Sequence, residues 1–195
     1  TLKNDKLLIE NHIKSNKLNH TNDIIIFAPN VEEIYPSGIP LNIEEQQGVF
    51  VNVLGKSHQL EGEIRPTFFR GVATIVCKLF NIVYPNYAFF GQKDAQQCVV
   101  IKQLVKDLLY PIEIVLGEII REDNGLAKSS RNRYLNSNER SIASILYKAL
   151  NETSILYNSG SLKTGNQLRD NVIKTISNEP SIKIDYITVS NPSTL

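Results

Sequence analysis

The sequence predicts an α/β protein built on a parallel sheet, followed by a small α+β region. Three observations carry this. Short, wholly apolar runs such as "DIIIFAP" and "NYAFFG" have the form of strands buried on both faces. Amphipathic stretches with helical spacing separate them. After Leu135 the chain turns into polar-faced helices and one alternating run. Alternation of the first two patterns favours a parallel sheet with covering helices.

In order along the chain, residues 2–18 place Leu2, Leu8, Ile9, Ile13 and Leu18 among charges, a loose helical stripe. "DIIIFAP" reads as a strand stopped by Pro29, and "GVFVNVLG" as another after a turn-rich stretch. "PTFFRGVATIVCKLFNIVYP" reads as a helix, with Pro66 near its start and Phe69, Val72, Ile75, Val76, Leu79 and Val83 on one face. "NYAFFG" is a short strand. "DAQQCVVIKQLVKDL" is a helix with Cys98, Ile101, Val105 and Leu108 repeating and Asp94 as its N-cap. "PIEIVLGEII" is a strand. "SNERSIASILYKALNETSILY" and "GNQLRDNVIKTISN" give two helices, and "SIKIDYITVS" a strand with one wet face. The domain boundary this implies separates residues 1–121 from residues 122–195.

Composition narrows the function. Over 195 residues, 42% hydrophobic and 21% charged residues describe an ordinary globular chain, and a formal net charge of +1 recruits neither nucleic acid nor an acidic membrane surface. No apolar run is long enough to span a bilayer, and no signal-peptide pattern opens the chain. Cys77 and Cys98 fall inside apolar helical patterns, as buried thiols in a reducing compartment do, and the expected location is cytoplasmic. His12, His20 and His58 stand apart, without metal-ligand spacing, so no resident metal site is expected. There is no methionine, even at the first position, so the chain reads as a piece of a longer protein.

Two stretches sit where ligands bind α/β sheets, beyond the carboxyl ends of strands. In "FFGQKDAQQ", Gly91 permits close backbone approach, the free amides of a helix start favour an anion, and Lys93 adds a charge. In "GLAKSSRNRYL", Ser129, Ser130 and Arg131 supply hydroxyl and guanidinium donors suited to phosphate oxygens. Each has a plainer reading as a connecting turn or a solvated loop. The residues by themselves point to a nucleotide or phosphate site on an α/β sheet and go no further.

The words "FAPNVEEIYPSG", "LEGEIRPTFFRGVATIVCKLFNIVYP", "FFGQKDAQQCVVIKQLVKDL" and "GLAKSSRNRYL" follow one another as in the pantothenate synthetase (pantoate–β-alanine ligase) family, and the resemblance runs on to "KIDYITVSNPSTL". It implies a Rossmann-like sheet of the nucleotidyltransferase and class I synthetase kind, with its N-terminal strands missing, and an incomplete C-terminal domain. It implies ATP-dependent condensation of pantoate with β-alanine through pantoyl adenylate, with Mg2+ accompanying ATP and a homodimer as the complete protein. By the same resemblance Gly91, Gln92, Lys93 and Asp94 form one ATP-binding word and Gln97 binds pantoate. Ile120 contacts adenine through its backbone. Lys128, Ser129, Ser130 and Arg131 form a second ATP-binding word. Lys93, Ser129, Ser130 and Arg131 are the residues it implicates in catalysis.

Two family words do not occur in these 195 residues: a His-x-Gly-His helix start and an Asn-Pro-x-Gln-Phe segment that grips the substrates. "RPTFF" stands where many bacterial members carry Arg-Pro-Gly-His-Phe. The expectation is therefore a fragment that turns over little alone. The alternatives are a non-catalytic nucleotide-binding remnant and another adenylate-forming transferase of the same superfamily.

Overall fold

The computed structural model describes residues 24–40 and 42–195, so the helix expected over residues 2–18, with His12 and His20, lies outside the described residues. The chain divides into two units, Thr1–Val49 and Phe50–Leu195.

In the first unit a single helical turn, α1 (Val31–Ile34), begins after Asn30, whose N–H donates to Glu33 Oε2 at 2.6 Å. A 3-10 turn (Ile43–Glu45) follows, started by Asn42, whose Oδ1 accepts from the Glu44 N–H at 3.2 Å. The strand expected in "DIIIFAP" does not form over residues 24–29. A strand exists only through its hydrogen-bonded ladder, and these residues have no such neighbour among those described.

The second unit contains, in order, α2 (Glu61–Ile64), α3 (Phe68–Val83), β1 (Tyr87–Gly91), α4 (Ala95–Asp107), β2 (Glu113–Gly117), α5 (Ser137–Ala143), α6 (Ile145–Asn158) and α7 (Gly165–Ile176). β1 and β2 pair in parallel, with Tyr87 opposite Glu113 and Gly91 opposite Gly117, and α4 is the crossover between them. The sheet among the described residues thus has two strands.

α3 supplies one wall of the core through Phe69, Ala73, Val76, Cys77 and Phe80. The buried stripe is therefore rotated from the expected one, and Val83 is exposed. The helix ends where Tyr84 turns left-handed (φ 51°), its N–H capping the Phe80 carbonyl at 2.8 Å, just before Pro85. α4 supplies the other wall. Val100, Ile101 and Leu104 are almost wholly enclosed, whereas Leu108 lies outside the stripe. Asp94 does not cap α4 with its side chain; its carboxylate faces Lys93 instead, and a 3-10 turn (Gln92–Asp94) leads into the helix. Ala88 and Phe90 of β1 and Ile114 of β2 pack against this core, and Phe80 meets the Tyr110 ring edge-on at 5.6 Å.

"GVFVNVLG" also lacks a ladder. The Val51 N–H donates to the Thr74 hydroxyl at 2.9 Å, and that hydroxyl donates to the Arg70 carbonyl at 2.7 Å. A side chain of α3 takes the partner that a neighbouring strand would have supplied.

After residue 135 the first expected helix is divided at Ser144 into α5 and α6. α5 starts in a capping box: Glu139 N–H to Asn136 Oδ1 at 2.9 Å and Asn136 N–H to Glu139 Oε2 at 2.8 Å. α6 and α7 enclose Ala149, Val172 and Ile176. Ile182, Ile184 and Ile187 of "SIKIDYITVS" lie against that cluster without forming a strand, so burial fixes the segment rather than backbone pairing.

Ile101→Ala is expected to lower unfolding stability by about 2–5 kcal/mol, because α3 and the sheet cannot close over the lost volume. Leu109→Ala, at an exposed position, should stay within about 0.5 kcal/mol. Urea unfolding followed by circular dichroism measures both.

Candidate functional site

Because β1 and β2 run in register, their carboxyl ends Gly91 and Gly117 lie side by side. Beyond that edge opens a cavity of about 800 Å³, within the range of small-molecule sites, roughly 300–1,000 Å³. Gln92, Lys93 and Asp94 line it from the 3-10 turn after β1, and Gln97 from the first turn of α4. Leu116 contributes from β2, and Ser129, Ser130 and Arg131 from the loop beyond it. Glu61, Arg65 and Phe68 form a third wall. The segment from Tyr186 to Leu195 supplies the fourth, tied down by Lys56 Nζ donating to the Thr194 carbonyl at 2.9 Å.

The two words singled out in the sequence therefore converge on one cavity. Gly91 itself, Ile120 and Lys128 are not among its lining residues. Ile120 is 65% exposed, and its carbonyl accepts the Lys128 N–H at 2.8 Å. His58 is also outside the lining. Among the described residues no three His, Cys, Asp or Glu side chains group as a metal-ligand set.

The charges are unevenly engaged. Arg65, Lys93, Lys102 and Arg131 face the cavity against Glu61 and Asp94, an excess of cations in a chain of net charge +1. Arg65 is held on both sides, donating to Glu61 Oε1 at 3.3 Å and lying 3.9 Å over the Phe68 ring. Lys93 Nζ meets Asp94 Oδ1 at 3.3 Å and Oδ2 at 3.4 Å, an exposed pair of the kind that exchanges for a phosphate at little cost. The Arg131 N–H is held by Ser129 Oγ at 3.2 Å, and its guanidinium has no partner among the described residues. The cavity suits a polyanion, and Arg131 and Lys102, neither in an ion pair among the described residues, are the cations most available to it.

Burial pushes the Tyr186 phenol above its ordinary pKa, and the charge of Glu61 and the hydrogen bond to it act in the same direction. Its hydroxyl stands 3.5 Å from Glu61 Oε2 and remains a neutral donor at physiological pH. Burial likewise raises the Cys98 thiol, which borders the cavity and reaches the Gly91 carbonyl at 3.5 Å. A protonated thiol in that position packs rather than attacks.

Gln96 is the residue that the sequence reading missed. Its Nε2 donates to the Gln59 carbonyl at 2.7 Å and the Lys56 carbonyl at 3.1 Å, and its Oε1 accepts the Glu61 N–H at 3.1 Å. One buried amide thus fastens the third wall to the start of α4. The only signal was the pair "QQ": neighbours on a helix point about 100° apart, so the two take different partners although both border the cavity.

A comparison with family models matches residues 2–195 to the model described as Pantoate-beta-alanine ligase. The chain belongs to that family. It is 45% identical over 171 residues to a pantothenate synthetase of Herpetosiphon aurantiacus, covering 88% of this chain and 59% of the relative. It is 44% identical over 179 residues to a pantoate–beta-alanine ligase of Saccharomyces cerevisiae, covering 88% of this chain and 57% of the relative. Among solved structures, a pantothenate synthetase of Thermus thermophilus superposes with a TM-score of 0.84 at 34% identity, covering all of this chain and 64% of the other. A pantoate-beta-alanine ligase of Francisella tularensis, solved with beta-gamma ATP and beta-alanine, gives a TM-score of 0.56 at 32% identity over 74% of this chain and 50% of the other. The fold is that of the pantothenate synthetases, and the chain spans less than two thirds of the length of these relatives.

Gln96→Ala would leave the part-buried Lys56 carbonyl and Glu61 N–H without their partner, while the Gln59 carbonyl keeps the Gly62 N–H at 3.0 Å, and is expected to cost about 1–3 kcal/mol. Gln97→Ala, facing open space, should stay within about 0.5 kcal/mol. Denaturant midpoints of the two variants distinguish them.

Proposed function

We propose that the cavity binds ATP and pantoate and that the whole protein condenses pantoate with β-alanine. In this reading the pantoate carboxylate attacks the α-phosphorus of ATP, pyrophosphate leaves, and the β-alanine amine then attacks the acyl carbon of pantoyl adenylate to release AMP. The carrying observation is the meeting of Lys93, Asp94, Gln97 and the Ser129–Arg131 turn on one cation-rich cavity. Membership of the family, and the Francisella tularensis relative's complex with beta-gamma ATP and beta-alanine, support the choice of ligands.

An anionic carboxylate approaching an anionic triphosphate must be shielded, so fixed cations and donors provide most of the acceleration. Lys93 releases Asp94 and neutralises charge on the phosphates, while Asp94 faces the ribose. Ser129, Ser130 and the unpartnered Arg131 hold the departing pyrophosphate, with Gly91, Gln92 and Lys128 flanking the nucleotide and the Ile120 backbone meeting adenine. Gln97 donates to pantoate. Magnesium enters on the phosphates of the Mg-ATP substrate, because Arg65, Tyr186 and Lys93 already engage the cavity carboxylates Glu61 and Asp94. Residues 1–121 then carry the nucleotide-binding domain and residues 122–195 the smaller domain that supplies the phosphate loop.

Calorimetry with a non-hydrolysable ATP analogue tests this reading. Lys93→Ala and Arg131→Ala should each weaken the analogue by roughly tenfold or more, the loss of a charge-assisted contact. Gln97→Ala should weaken pantoate while leaving the analogue unchanged. Analogue affinity indifferent to both cation variants would contradict it, as would equal binding of pantoate and unrelated carboxylates.

A further inference from the structure

The segment that carries Ser129, Ser130 and Arg131 is fastened at its base by side chains outside the cavity lining. Residues 121–128 form a tight hairpin: Arg121 bridges Ala127, the Glu122 N–H donates to the Leu126 carbonyl at 2.8 Å, and the Gly125 N–H donates to the Glu122 carbonyl at 2.8 Å. Gly125 (φ 88°) lies directly beneath the Tyr147 ring of α6, where any Cβ would collide. The Arg121 guanidinium covers the same ring at 4.0 Å and donates to the Gly125 carbonyl at 3.0 Å. The hairpin is thereby seated on α6.

A second set of bonds closes the far side. Both oxygens of Glu122 accept from Arg140 Nη1 at 3.0 Å, and Oε1 also accepts from Asn132 Nδ2 at 3.2 Å. Arg140 Nη2 donates to the Asn132 carbonyl at 3.1 Å, and Asn132 Nδ2 donates to the Ala127 carbonyl at 3.0 Å. Ala127 and Asn132 flank the turn on either side, so these bonds set its width and direction. The Glu122 carboxylate is only 23% exposed, which protects the pair from the screening that weakens open ion pairs.

We propose that Glu122, Asn132 and Arg140 form a latch that holds the Ser129–Arg131 turn in its cavity-facing orientation, making them positioning residues for the phosphates of the bound nucleotide. This rests on the nucleotide reading of the cavity given above. The two arginines then divide the work. Arg140 is neutralised by Glu122 and shapes the loop, leaving the unpaired Arg131 to meet the ligand. A turn already held in place loses less freedom when it grips an anion.

The test uses the full 195-residue chain with inorganic pyrophosphate as probe, in Arg140→Gln, Glu122→Gln and the charge-exchanged double variant E122R/R140E. Amide hydrogen exchange at residues 127–135 should speed up by about tenfold in the single variants while the amides of α6 and α7 keep their protection. Pyrophosphate affinity should fall by about tenfold, the effect of losing preorganised charge-assisted bonds, and the double variant should recover part of both losses. The latch is overturned if loop exchange stays within about twofold of the parent chain. It is equally overturned if affinity falls with exchange unchanged, since Arg140 would then be a direct ligand. If the parent chain binds neither pyrophosphate nor the ATP analogue, the nucleotide reading fails, and the exchange result alone decides whether the latch orders the turn.

Discussion

The parallel pairing of Tyr87–Gly91 with Glu113–Gly117 makes every other feature of the site possible, because it sends two distant segments out over the same edge. Gly91 opposite Gly117 leaves the edge without side chains just where the turn of Gln92–Asp94 and the loop beyond β2 diverge. An antiparallel pair would have placed those ends on opposite sides. The pairing is held by the core beneath it, where Val100, Ile101 and Leu104 of α4 meet Phe69, Ala73 and Phe80 of α3. Gln96 then carries the constraint outward by joining α4 to the wall that bears Glu61 and Arg65.

Around that edge the charged side chains fall into two kinds. Arg65, Arg121 and Arg140 are each fixed by a carboxylate, a ring or a carbonyl, and they shape walls and loop. Lys93 is held only by an exposed neighbour, and Arg131 not at all among the described residues. The fixed cations carry the architecture and the loosely held ones are available to a ligand, so a small change at Glu122, outside the cavity lining, would act on binding without touching the ligand. Asn132 is pivotal to this separation: it follows Arg131 directly, yet it bonds inward to Glu122 and Ala127 while Arg131 faces the cavity.

The sequence made α3, α4, α6, α7 and the strands β1 and β2 legible because each carries its own periodicity, whereas α1 and α2 are single turns too short to show one and nothing local marked the break at Ser144. It misjudged "GVFVNVLG" and "SIKIDYITVS", whose apolar pattern reports burial but not the identity of the partner. Val51 bonds to Thr74 and the isoleucines at 182, 184 and 187 lie on helices, so both runs are packed without a ladder. "DIIIFAP" is the same ambiguity with no partner among the described residues. Within the cavity, Lys93 and Ser129–Arg131 were readable as local words with donors and charge, and Gln97 only through the family resemblance those words carry. Gln96, Glu122 and Arg140 were not, since their importance lies in bonds to carbonyls and carboxylates at sequence separations that no local pattern encodes.

In the proposed reading, the cavity at the carboxyl ends of β1 and β2 receives the nucleotide between the Gln92–Gln97 segment and the Ser129–Arg131 turn. Amide chemical-shift mapping during titration with a non-hydrolysable ATP analogue tests it most directly. Saturable shifts concentrated at residues 91–97 and 128–132 are expected, with the groove bounded by Leu150, Tyr157 and Val172 undisturbed. Shifts confined to that groove, or a titration that leaves both segments unmoved, would contradict it.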